Sequence, residues 1–317
     1  MEESGKLGKK IRGRIGGSIC VLTGGALYGL VGIFNRMLES SGFTAMEVVS
    51  LRLFGAAIVF GFIALFTDRS IFRIRLRDLW MFMGTGILSF VCFNWCYFQC
   101  MRLSSLSVAA VLLYISPTFV MILSVLLFHE KLTRWKGLSL GLTLAGVFLL
   151  CGGLGSGEAI SGRALLCGLG SAFGYSLYSV FSRFALKKDY TPEQITFWTN
   201  VCGGVSTLII VGQPEYFERL ANVNAVLPIL ALIIACTILP MNLYNRGMMH
   251  LENSRAGILA MSEPVAAVVV SRLLYHEVLT TVQYVGIVLV LAAAAVVVAK
   301  SADPAEIREE ESGEETG

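Results

Sequence analysis

Apolar residues run along this chain in stretches of about 20 positions separated by short polar clusters. That is the length at which a helix crosses a hydrocarbon core of roughly 30 Å. Ten such stretches are predicted: Ile15–Phe34, Val48–Phe66, Leu79–Phe98, Leu106–Phe128, Gly137–Gly155, Ala164–Ser182, Gln194–Gln213, Ala225–Asn245, Ala256–Leu274 and Val278–Ala299. The polar remainder is a basic N-terminus over residues 1–14, short loops and an acidic tail over 301–317 that is expected to be disordered. The expectation is therefore an all-α integral membrane protein with no soluble domain of any size attached. Composition agrees, with 55% apolar and only 15% charged residues, against about 25% charged in an ordinary soluble domain.

Charge changes the picture by giving it an orientation. Lys6, Lys9, Lys10, Arg12 and Arg14 precede the first stretch, and further basic groups fall in alternate loops: Arg69, Arg73, Arg75 and Arg77, then Lys131, Arg134 and Lys136, then Arg183, Lys187 and Lys188. The intervening loops hold the single residues Arg36, Arg102, Arg163 and Arg219. Because basic residues are retained on the cytoplasmic side, both termini are expected there, in a multi-pass protein of the cell membrane. The net charge of +3 then reports topology and gives no reason to expect a nucleic-acid partner. The first stretch follows a basic segment, as in a signal peptide, but "YGLVGIFNRM" supplies no small-x-small cleavage site, so it is read as a retained helix. Cys92, Cys96 and Cys100 recur every four positions on one helix face. Small, polarizable packing residues explain that stripe better than a metal or redox site, and no metal or cofactor is expected.

The chain also repeats itself. "SPTFVMILSVLLFHEKLT" at 116–133 returns as "SEPVAAVVVSRLLYHEVLT" at 262–280, and one offset of 147 serves throughout. It aligns Cys20 with Cys167, Tyr28 with Tyr175, Thr44 with Thr191, Tyr97 with Tyr244, Ser107 with Ser254, Pro117 with Pro264 and His129-Glu130 with His276-Glu277. The two units, 15–157 and 162–300, hold five predicted helices each. Five is odd, so the second unit enters the membrane upside down. Inverted repeats of this kind let a secondary transporter expose a midplane site alternately to either side.

Each unit ends on the same run: a helix containing Pro, then Glu and Leu-Thr, then a smooth fifth helix, in "HEKLTRWKGLSLGLTLAGVFLL" and "HEVLTTVQYVGIVLVLAAAAVVV". In these residues the chain resembles the paired EamA domains of the drug/metabolite transporter superfamily, from about Ile15 to Lys300. The resemblance implies a central cavity between the halves, lined by helices 1, 3, 4, 6, 8 and 9. It implies no particular solute.

The motif residues have physical readings of their own. Pro117 and Pro264 lack an N–H and should kink their helices, either as hinges at the midplane or as static packing bends. Glu130 and Glu277 end helices, where a carboxylate opposes the macrodipole. A structural role, bonding backbone amides of the same turn, fits them better than metal binding. Thr133 and Thr280 are expected N-caps of the helices that follow. Gly25 with Gly29, and Gly137 with Gly141, permit close helix approach. The fifth and tenth helices could also join two copies into a homodimer.

Charges within the spans are the sharpest signals. Arg52 and Arg272 lie toward the outer helix ends, where they either snorkel or partner an acid. Glu263 is short, lies beside Pro264, and needs a proton or a cation there. Tyr28, Asn94, Trp95, Tyr114, Ser116, Tyr175, Asn242 and Ser262 could surround a solute with it, together with Trp198, Asn200 and Tyr244. Aromatics with a few amides and hydroxyls suit a small amphipathic metabolite such as an amino acid. No P-loop is present, so the expected function is gradient-driven or facilitated transport, with export as the leading form and the proton as one candidate partner. A receptor or structural membrane protein leaves Glu263 and the repeat unexplained. An intramembrane enzyme lacks convergent catalytic groups.

Overall fold

The computed structural model describes residues 2–151, 161–211, 223–275 and 279–304. His276, Glu277 and most of the acidic tail lie outside the described residues. Among those described, every regular element is helical. In the first half these are α1 (Glu2–Tyr28), α2 (Val31–Ser40), α3 (Ala45–Thr67), α4 (Leu79–Met83), α5 (Cys92–Leu103), α6 (Leu106–Leu113), α7 (Ser116–Phe128) and α8 (Arg134–Leu150). The second half holds α9 (Gly162–Leu186), α10 (Pro192–Val211), α11 (Val223–Ile233), α12 (Leu239–Met248), α13 (Asn253–Leu259), α14 (Ser262–Tyr275) and α15 (Thr281–Ser301). Among the described residues, nine helices, counted through their interruptions, are long and apolar enough to cross a membrane. Helix α8, at 17 residues, rises about 25 Å and falls just short.

Caps start several of these helices. Thr44 and Glu47 form a reciprocal capping box at α3, with N–H to oxygen distances of 3.4 and 2.7 Å. Thr191 and Gln194 form its counterpart at α10, at 3.2 and 2.9 Å. Thr133 and Thr280 cap α8 and α15, as their positions predict. Thr44 and Thr191, like Thr133 and Thr280, are 147 positions apart, so the repeat extends to how each helix begins.

The interruptions recur in the second half within a few residues of the same offset. A π-helical segment, Gly84–Val91, joins α4 to α5, and another, Ile234–Ile238, joins α11 to α12. The break at Tyr114–Ile115 between α6 and α7 has its counterpart at Ala260–Met261 between α13 and α14, one residue short of the offset. Pro117 and Pro264 therefore do not kink continuous helices. Each lies in the first turn after a break, where the missing N–H would have had no intrahelical partner.

Packing pairs map onto one another as well. Helix α1 packs on α12 and α5 on α9, an exchange under the offset, whereas α3 packs on α10 and α8 on α15. Small residues make these approaches possible. A Cβ at Gly204 would lie 2.6 Å from Phe54 Cα, and one at Gly146 would lie 2.8 Å from the Gly286 carbonyl. Gly137 and Gly141 meet nothing within 4 Å, so the α8–α15 crossing uses Gly146 and Gly286 in their place.

One end of the bundle is closed by polar groups reaching between the halves. Glu130 follows His129, which turns the chain in a left-handed conformation (φ 56°) after α7. Its carboxylate accepts the N–H groups of Asn253 (2.7 Å) and Ser254 (3.1 Å) and the Ser254 hydroxyl (2.6 Å). The amides it bonds thus belong to the start of α13 in the other half, not to its own turn. An acid at that helix N-terminus satisfies orphan donors and complements the dipole. Beside it, Glu252 pairs with Lys136 at 2.8 Å and with Arg255 at 3.0 Å. Burial disfavours the Glu252 charge, but those two cations outweigh it and hold the carboxyl below its usual range. Arg183 donates to the carbonyls of Met248 and Leu251 at the same end.

Candidate functional site

Helix α1 presses on the break that precedes α14. A Cβ at Gly25 would lie 2.3 Å from Ser262 Oγ and 2.8 Å from the Ala260 carbonyl, and one at Gly29 would lie 2.6 Å from the Glu263 carbonyl. Only a residue without a side chain allows this approach. Ser262 donates back to the Leu22 carbonyl at 2.9 Å, tying the break to α1. Glu263 follows in the first turn of α14, where the helix dipole favours negative charge.

Its carboxylate faces a cavity of about 90 Å³ between the halves. Tyr175 donates its hydroxyl to Glu263 Oε2 at 3.0 Å, and Tyr114 interacts with the same carboxyl group. Arg52 lines the cavity too, with its guanidinium 5.9 Å from the centre of the Tyr28 ring. Arg52 donates to Thr237 Oγ1 and to the Cys236 carbonyl, both at 3.3 Å, within the second π-helical segment. Among the described residues no ion pair joins Arg52 to Glu263, so one acid and one base share the cavity without neutralising each other by contact.

Aromatic rings form the rest of the wall. Phe93 meets Tyr175 edge-on at 5.5 Å between centroids, and Phe90 meets Tyr178 in the same way at 5.5 Å. Tyr175, Tyr178 and Ser179 are spaced i, i+3 and i+4, so one face of α9 supplies all three. Ser179 and Tyr244 hydroxyls, 2.5 Å apart, lie at the foot of this wall, and Asn245 donates to the Tyr178 hydroxyl at 2.8 Å. Ser89 also lines the cavity, and its buried hydroxyl has no protein partner.

The sequence-predicted residues divide clearly. Glu263, Tyr28, Tyr175 and Arg52 come together around the cavity, with Tyr244, while Tyr114 and Ser262 lie beside it through the contacts above. Asn94 is buried but spends its amide on the Phe90 carbonyl of its own helix, at 2.7 Å. Trp95 is 55% exposed on the outer surface. Ser116 is buried at the start of α7 without lining the cavity, and Asn242 does not line it either. Trp198 donates to the Ile71 carbonyl and Asn200 to the Thr196 carbonyl, both away from it. Arg272 is exposed and also outside it. Ser89, Phe90, Phe93, Tyr178 and Ser179 were not foreseen. The spacing of Tyr178 and Ser179 behind Tyr175 was the signal available for two of them.

Two repeats, interrupted helices and a polar pocket between halves are shared by more than one transporter fold, and comparison with known families decides among them. The profile of the EamA-like transporter family matches residues 15–152 and again 162–299, the second match displaced by the same 147 positions. The chain belongs to the EamA-like transporter family. It is 30% identical over 280 residues to an uncharacterized transporter of Archaeoglobus fulgidus, covering 87% of this transporter and 94% of that one. A protein of Salmonella typhimurium described as a "probable amino-acid metabolite efflux pump" is 23% identical, over 58% of this chain and 64% of its own length. The uncharacterized inner membrane transporter YicL of the same organism is 23% identical over 87% and 92%. A solved crystal structure superposes with a TM-score of 0.72 at 19% identity, covering 88% of this chain and 95% of that one, and so shares the fold. This EamA-like chain is a multi-pass membrane transporter.

Proposed function

We propose that this transporter moves a small zwitterionic metabolite of the amino-acid kind out of the cell, driven by a gradient, by alternating access between two inverted five-helix repeats. The observation that carries this reading is the presence of both Glu263 and Arg52, not paired with each other, in one aromatic cavity where the halves meet. A solute ammonium group suits Glu263, a solute carboxylate suits Arg52, and the Phe90, Phe93, Tyr175 and Tyr178 rings suit an apolar body. At about 90 Å³ the cavity is well below the roughly 300–1,000 Å³ of ligand pockets, which fits a conformation closed around the site. The breaks before Pro117 and Pro264 are the proposed hinges. Helix α8 is the proposed tenth span, with both termini cytoplasmic, so the Glu130 network would close the cytoplasmic end. Exchange of proton for solute at Glu263 is the proposed coupling, and the name of the Salmonella efflux pump favours export.

Counterflow into proteoliposomes tests the reading with neutral amino acids, their amides and their N-acetyl derivatives. The expected result is transport of the zwitterions and at least about tenfold weaker transport when either charge is removed, the cost of one lost charge-assisted hydrogen bond. Equal transport of all three forms, or of none, contradicts it.

A further inference from the structure

A second, larger recess lies away from the central cavity. It is an open cleft of about 810 Å³ where the segment between α3 and α4 meets the turn between α9 and α10, and Arg73, Arg75, Arg77 and Lys188 line it with Asp78, Asp189, Tyr190 and Gln194. The cleft is built rather than incidental. Gln194 donates from its side-chain amide to the carbonyls of Ser70 (3.1 Å) and Arg73 (2.9 Å), and Trp198 donates to the Ile71 carbonyl at 3.1 Å. The Arg75 N–H reaches the Tyr190 hydroxyl at 3.1 Å, and that hydroxyl donates to Asp78 Oδ2 at 2.9 Å. Four contacts from one half thus fix the backbone that displays three arginines from the other.

The charge balance of the cleft is incomplete. Lys188 pairs with Asp78, and Asp189 offsets one further positive charge. Arg73 also acts electrostatically on Asp68, whose carboxylate is already bonded by Ser70. Among the described residues, the guanidinium groups of Arg73, Arg75 and Arg77 make no hydrogen bond or ion pair, and all three are exposed. Leu76, between Arg75 and Arg77 in the chain, is 84% exposed, and Trp80, two residues beyond Asp78, is 46% exposed. Guanidinium groups beside exposed tryptophan and aliphatic side chains at the ends of spanning helices match the headgroup level of a bilayer. A soluble anion would have no use for the apolar rim.

We propose that this cleft binds the phosphoryl headgroup of an anionic phospholipid, clamping lipid between the two repeats. Arg73, Arg75 and Arg77 supply charge and forked donors to the phosphate oxygens, while Leu76 and Trp80 contact the acyl boundary. The placement in the cytoplasmic leaflet rests on the topology proposed above; the binding itself does not.

Native mass spectrometry of the detergent-solubilised full-length protein, titrated with phosphatidylglycerol or phosphatidylcholine, tests it without any gradient or orientation. Phosphatidylglycerol is expected to bind at one saturable site at least about tenfold more tightly than phosphatidylcholine. Each arginine near a surface is worth roughly fivefold, so R73Q/R75Q/R77Q is expected to weaken phosphatidylglycerol binding about 100-fold. R102Q/R163Q, removing exposed charge at other loops, should leave it unchanged. If the triple variant is not monodisperse on size exclusion, R75Q alone is expected to show the fivefold loss. Equal binding of both lipids, or wild-type affinity in the arginine variants, overturns the proposal. Displacement of phosphatidylglycerol by an equal concentration of glycerol phosphate overturns it too, because the site would then serve a soluble anion.

Discussion

At the scale of single residues, the acids separate by what surrounds them. Glu263 faces space, the hydroxyls of Tyr175 and Tyr114 and a guanidinium with which it makes no ion pair, so it has capacity left for a solute. Glu130 has none left, because two backbone amides and a hydroxyl of the other half already fill it. Glu130→Ala should strip those donors of their partner and destabilise the protein by about 1–3 kcal/mol, read as a lower melting temperature in detergent, while Glu130→Gln, which keeps an acceptor, should recover part of the loss. Wild-type melting of the alanine variant would mean that the contact contributes nothing. The sequence could show that both acids needed an explanation. It could not show that the Glu130 partners lie 123 and 124 positions away, because no local pattern encodes which helix end a carboxylate will reach. The same holds for Asn94, whose amide turns back on its own helix, and for Trp95, which faces outward: residue type alone does not fix which face of an apolar helix meets the cavity.

At the scale of elements, most of the architecture was legible because a membrane forces backbone polar groups into helices. Among the described residues, nine of the ten expected span positions, the N-caps at Thr133 and Thr280 and the repeat offset were readable in hydropathy and residue identity. The interruptions were not. Pro117 and Pro264 point to a disturbance, but the break falls two to four residues earlier, since proline is well accommodated in a first turn. The π-helical segments at Gly84–Val91 and Ile234–Ile238 carry no comparable signal, and Arg52 donating to Cys236 and Thr237 shows one use for the widened turn. Gly25 was readable as a packing residue. That it packs on the break beside Glu263, and so builds the site, follows only from the fold.

At the scale of the whole molecule, every pairing of helices that exchanges or returns to itself under the offset is consistent with a two-fold relation between halves. Whether that axis lies in the membrane plane is a question of topology. With inverted repeats, a cysteine at Ser161 in a background without the native cysteines should react with an impermeant thiol reagent from outside the cell, and one at Lys187 should not. Reaction at both sites would contradict the inversion.

The central claim, that Glu263 is the ionisable group through which this transporter senses solute and proton, is tested most directly by Glu263→Gln in proteoliposomes with a pH gradient. The substitution keeps shape and hydrogen bonding while removing the charge. The account predicts a variant that folds and inserts normally, loses at least about tenfold in concentrative transport by forfeiting one buried charge contact, and no longer responds to pH. Uptake, efflux and a pH profile indistinguishable from the wild type would contradict it.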